Sequence, residues 1–72
     1  MIITYKDQSG SIPYPITLDS DVIPRVKERV MIPNNHNKIR KMFTVQQVTY
    51  DHMKVKVGKH EVWATSAIID VL

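Results

Sequence analysis

Seventy-two residues, 43% of them hydrophobic and carrying a net charge of +3, make one small domain with a thin core. The absence of cysteine excludes a disulfide framework, a thiolate metal site and a cysteine nucleophile together. No apolar run approaches the ~18–20 residues of a membrane span, and Met1–Lys6 lacks the basic start and long apolar stretch of a signal peptide. A cytoplasmic, reducing location with no membrane partner is therefore expected. A scaffold of this size without staples often leans on oligomerisation, which favours a homo-oligomer.

The charge is unevenly spread. Over residues 1–35, Lys6, Arg25, Lys27 and Arg29 cancel Asp7, Asp19, Asp21 and Glu28. Over residues 36–60, Lys38, Arg40, Lys41, Lys54, Lys56 and Lys59 face only Asp51, and Glu61 and Asp70 follow. The basic middle of the chain is the only hint of an anionic partner.

Ile2–Lys6 reads as a first strand, and Asp7-Gln8-Ser9-Gly10 as a turn of the kind Asp, Ser and Gly favour. From Ser11 to Leu18, Ile12, Tyr14, Ile16 and Leu18 share one parity while Pro13, Pro15 and Thr17 take the other. Proline cannot donate to a ladder, so this strand belongs at a sheet edge. Residues 21–31 admit two readings. Val22, Val26 and Val30 recur at helical spacing behind Ser20 or Asp21 as a cap, with Pro24 in the first turn. Against that, Val30 and Ile32 alternate, the segment is rich in β-branched residues, and Pro33 cuts it short. The propensities favour an extended loop followed by a strand at Arg29–Ile32.

Asn34–Asn37 is a loop by composition. Beyond it Ile39, Phe43 and Val45 are odd-numbered whereas Val48 and Tyr50 are even, a change of parity that predicts a β-bulge near Gln46-Gln47. The clearest pattern follows. Met53, Val55 and Val57 alternate with Lys54 and Lys56, Val62 and Ala64 alternate with Glu61, Trp63 and Thr65, and Gly58-Lys59 lies between. A two-residue turn there sets Val55 opposite Val62, Met53 opposite Ala64, Lys56 opposite Glu61 and Lys54 opposite Trp63. The charge pair and the cation over the indole are each worth ~0.2–1 kcal/mol. A second two-residue turn at Asp51-His52 would set Tyr50 opposite Met53 and Val48 opposite Val55, completing a three-stranded meander over residues 42–72. In that arrangement Met53, Val55, Val57, Val62 and Ala64 are core. Ser66 is placed to cap a 3₁₀ turn over Thr65-Ser66-Ala67, followed by a last strand at Ile68–Leu72 that pairs with the first.

This order resembles an SH3-like small barrel over about residues 22–72. Pro24-Arg25-Val26-Lys27-Glu28-Arg29-Val30 is similar to that family's Pro-x-x-Gly-Asp/Glu-x-Val lead-in, with Lys27 in place of glycine. Phe43–Tyr50 looks like the following strand and Val62–Ala67 like the exit. The chain also looks like short uncharacterised proteins of bacteriophages and mobile elements. The resemblance implies an all-β, partly open barrel of five to six short antiparallel strands with a 3₁₀ turn before the last. Residues 1–18 would form its N-terminal hairpin. Fold analogy by itself licenses no function.

The chemistry-bearing residues are sparse. His52 and His60 are predicted at opposite ends of one strand, ~20 Å apart, too far to share an ion; His36 lies in the loop. The carboxylates are scattered, Ser9 has no elbow motif or partner base, and Gly10 and Gly58 cannot make a phosphate-cradling loop. A non-enzyme without cofactor or metal is expected. The outward face of the hairpin offers more, with Gln47, Thr49, Lys54, Lys56 and Trp63 expected on one surface and Lys38, Arg40 and Lys41 nearby. Lysine stems covering Trp63 while their charges stay in water is the simplest account. The functional reading is a non-catalytic interaction module, of the kind of a phage accessory or assembly protein, that contacts a protein partner or a second copy of itself. The alternative is a small barrel that binds nucleic acid, or an anionic nucleotide between subunits, through Lys38, Arg40, Lys41, Lys54, Lys56 and Trp63.

Overall fold

The computed structural model describes residues 1–12, 14–33 and 39–72. Five strands form: β1 (Ile2–Asp7), β2 (Ile16–Asp19), β3 (Arg29–Pro33), β4 (Arg40–Val57) and β5 (His60–Val71). They make one sheet in the order β2-β1-β5-β4-β3, curled into a half-barrel, and no described residue is helical. The strand at Arg29 and the turn at Gly58-Lys59 lie where the residue pattern puts them. Gly58 takes a φ of 64°, the left-handed conformation that the first position of a II′ hairpin turn requires.

β5 is the central strand. It runs parallel to β1, Ile3 opposite Ala67 and Tyr5 opposite Ile69, and antiparallel to β4. Its alternate residues Ala67, Ile69 and Val71 are fully buried, packed with Ile3, Ile32, Phe43 and Val45. Partly buried Tyr5, Ile12, Ile16, Ile23, Val30 and Val48 close around that cluster. The single sheet covers its core by curling, since no second layer is present among the described residues.

The curl depends on a bulge. Val45 faces Val71, but Gln47 already faces Asp70, so Gln46 is the extra residue on β4. Before it the odd positions Phe43 and Val45 point into the core; after it the even position Val48, opposite Ile69, takes over. On the N-terminal side of the bulge the ladder runs one pair further, Thr44 and Leu72 exchanging backbone bonds at 2.9 and 3.0 Å.

Five expectations are corrected. There is no turn at Asp51-His52: β4 runs through these residues, pairing Asp51 with Ser66 and His52 with Thr65. A two-residue turn needs positive φ, and the positive-φ residues among those described are Gly10, Lys27 and Gly58. Without such a residue at 51–52, continuing the ladder is the cheaper course. The 3₁₀ turn at Thr65–Ala67 is likewise absent, because these residues carry β5 across both Ile2–Ile3 and Tyr50–His52. Residues 42–72 are thus one long hairpin rather than a meander, and the strands are neither all short nor all antiparallel. The edge strand begins only at Ile16, after the second proline, where backbone donors become continuous. Finally, Met53, Val57 and Val62 are not core; they are 48%, 61% and 43% exposed.

Two local devices hold the half-barrel's ends. The Asp7 carboxylate accepts from the Ser9 backbone N–H (2.8 Å), the Ser9 hydroxyl (2.6 Å) and the Ile12 N–H (2.7 Å), fixing the loop that returns Ile12 to the core. Lys41 on β4 reaches the same loop, donating to Ser11 Oγ at 2.7 Å while its ammonium stands 5.3 Å from the Phe43 ring centre. On the other side Arg25–Glu28 makes a turn, with the Glu28 N–H bonded to the Arg25 carbonyl and the Arg25 N–H to the Glu28 carboxylate. Lys27 sits third in that turn at a φ of 74°, where type II turns put glycine. Its N–H donates to Val45 and the Glu28 carbonyl accepts from Val45, so the turn extends the β3–β4 ladder to the bulge.

Both devices can be tested by chemical denaturation. Lys27→Gly should stabilise the fold by roughly 0.5–1 kcal/mol, relief of left-handed strain outweighing the added freedom of the unfolded chain. Burial pushes the Asp7 carboxyl up, but the bonds from Ser9 and Ile12 and the charge of Lys41 outweigh it and hold it below the usual range. A depressed folded value means stability that is present above the ordinary carboxylate pKa and lost as pH falls through the folded one. Asp7→Asn should cost about 1–3 kcal/mol at neutral pH, and denaturation midpoints measured down the pH scale should fall less steeply than in the parent.

Candidate interaction surface

Beyond Ser66 the β5 strand leaves β1 behind, and beyond the bulge β4 has left β3. His52–Val57 and His60–Thr65 therefore pair only with each other among the described residues. These six-residue runs form an arm projecting ~20 Å from the curled sheet, in a molecule 44 Å along its longest axis. The register within the arm is the expected one: Val55 faces Val62, Lys54 faces Trp63 and Lys56 faces Glu61. The Lys54 ammonium lies 5.3 Å from the Trp63 ring centre, the geometry of a cation–π pair.

Opposed residues of an antiparallel ladder share a side, so the register assigns every side chain of the arm. The side continuous with the buried face of the sheet carries Tyr50 (opposite Ala67), His52 and Thr65, Lys54 and Trp63, then Lys56 and Glu61. Trp63 is 69% exposed and Tyr50 52%. His52 Nδ1 and the Thr65 hydroxyl are hydrogen-bonded at 2.9 Å. The reverse side carries Met53 and Ala64, Val55 and Val62, and Val57 and His60. It holds no lysine or arginine; at its base Asp51 stands opposite Ser66, with Ile2, 47% exposed, on the far side of Ser66.

The candidate residues named from sequence divide accordingly. Lys54, Lys56 and Trp63 come together. Gln47 and Thr49, expected beside them, lie on the reverse side, because the strand continues where a turn was expected. Arg40 stands opposite Pro33, and Lys41 is anchored to Ser11 at the far end of β4; neither joins the arm. Lys38 and His36 lie outside the described residues. His52 and His60 fall on opposite sides of the arm, and no group of three His, Asp or Glu suited to a metal occurs among the described residues. Tyr50 and His52 are the additions that sequence reasoning missed. The signal for them was the lack of a glycine or asparagine at 51–52 to supply the positive φ of a two-residue turn. Among the described residues no helix is long and apolar enough to cross a membrane. No family model matches the chain, and neither a curated protein nor a solved structure matches it.

Proposed function

We propose that the protein is a non-catalytic interaction module that works through protein–protein contact, and that a second copy of the chain covers the reverse side of its arm. The observation that carries this reading is the amphipathic, two-stranded arm, with Met53, Val57 and Val62 exposed, Val55 half-buried between them, and the lysines all on the other side or at the tip. A hairpin of two strands is marginal in water unless its apolar face is packed against something. A second arm offers the same face at every concentration of the chain, and a two-fold axis makes the contact self-complementary. Charge favours this pairing as well. A basic chain repels itself, but two arms packed back to back turn Lys54 and Lys56 outward and bring no cation against another. The resemblance to SH3-like barrels and to short phage proteins carries the same expectation of an accessory or assembly part, and adds no site of its own.

The six residues of this side fall well short of the roughly 20–30 residues a side of a standard stable complex, so a weak, micromolar association is expected. Sedimentation from micromolar towards millimolar concentration should show a monomer–dimer equilibrium. Replacing Val55 and Val62 together by Thr keeps shape and strand preference while removing apolar surface, and should weaken dimerisation at least tenfold. A strict monomer throughout that range would remove the reading.

A further inference from the structure

The other side of the arm presents a different chemistry. Tyr50, His52, Lys54, Lys56 and Trp63 lie on one side of a single ladder, with both large rings more than half exposed. Tyr50 is four residues from Lys54, the partner of Trp63, so the rings stand roughly 13 Å apart along the strand, with His52 between them, Lys54 level with Trp63 and Lys56 beyond it. Lys59 in the turn adds a third cation at the tip. We infer that this stripe binds single-stranded nucleic acid, with Tyr50 and Trp63 each stacking on a base and Lys54 and Lys56 contacting phosphates beside and beyond Trp63.

Three features select that ligand class. Exposed rings separated along a ridge can each take a different base of one extended strand, whereas a duplex hides its base faces inside the stack. Lys54 already sits over the indole at 5.3 Å, so it holds one face of Trp63 and a base can stack on the other with a cation close by. The stripe is polar apart from its rings and does not share the apolar character of the reverse side, so this inference stands independently of dimerisation. Packing two arms back to back would leave one stripe facing outward on each copy. Glu61, opposite Lys56, works against phosphate binding and keeps the site weak. With two or three phosphates neutralised, log affinity should fall against log salt with a slope of only about −1.5 to −2.

Trp63 is the only tryptophan in the chain, so its fluorescence reports this site directly. Titration with oligothymidylate and oligouridylate at low salt should give saturable quenching that weakens with the shallow slope above. Tyr50→Ala should weaken binding about tenfold, and Lys54→Ala with Lys56→Ala should weaken it and flatten the salt dependence. Glu61→Gln should strengthen it, while Arg40→Ala should leave it unchanged. The Val55→Thr, Val62→Thr protein, with its reverse side altered, should bind the strand as the parent does. No quenching at low salt would overturn the inference. So would equal quenching by a duplex, binding indifferent to both Tyr50→Ala and the double lysine variant, or a Trp63 signal that changes on diluting the protein alone. The last result would assign the stripe to contact between copies.

Discussion

One extra residue, Gln46, sets which way every later side chain of the long hairpin faces. In an uninterrupted ladder Met53, Val55 and Val57 would continue the odd-numbered side that buries Phe43 and Val45. The bulge shifts the phase, so Val48 completes the core opposite Ile69 and the even-numbered Tyr50, His52, Lys54 and Lys56 follow it outward. The same residue bends β4, and the bend lets one sheet close over its own core. Curvature of the half-barrel and polarity of the arm therefore share a single cause.

The arm inherits two unlike sides from that shift. Near the sheet, β1 lies alongside β5 and the buried side is satisfied by Ile3, Tyr5 and their neighbours. Farther out, β5 has no neighbour but β4 among the described residues, so both sides meet solvent. An apolar side free of cations and an aromatic-basic side are suited to different partners. One fits a like surface and the other a polyanion, and both can be engaged together because they face apart.

Much of the fold was legible where local rules are strict. Gly58 supplies the positive φ of the hairpin turn and thereby fixes the Lys54–Trp63 register. The switch from odd Val45 to even Val48 locates the bulge. The second strand lies at an edge, as the prolines ahead of it led one to expect, and the Pro-flanked run at Val30–Ile32 forms a strand. What was not legible depends on non-local choices. Apolar alternation at Met53–Val57 looks the same whether it faces a core or solvent, and only the phase accumulated from Gln46 tells them apart. Asp51-His52 and Thr65–Ala67 carry residues common at turns, yet each gains partners by remaining extended: Ser66 and Thr65 for the first, Tyr50–His52 and Ile2–Ile3 for the second. Lys27 shows the converse. A non-glycine residue accepts a left-handed φ because its N–H, and the carbonyl of the next residue, complete the ladder at Val45. The candidate site was half visible for the same reason, since Lys54, Lys56 and Trp63 follow from the turn while Tyr50 and His52 join them only if β4 is unbroken.

The most direct test of this account is the cross-strand pattern of proton–proton Overhauser contacts along β4 in solution. An unbroken strand predicts backbone contacts between His52 and Thr65 and between Tyr50 and Ala67, continuous with those of Lys54 and Trp63. Contacts joining Tyr50 to Met53 and Val48 to Val55 would place a turn at Asp51-His52, return Met53 and Val55 to the core, and contradict both the arm and the surfaces assigned to it.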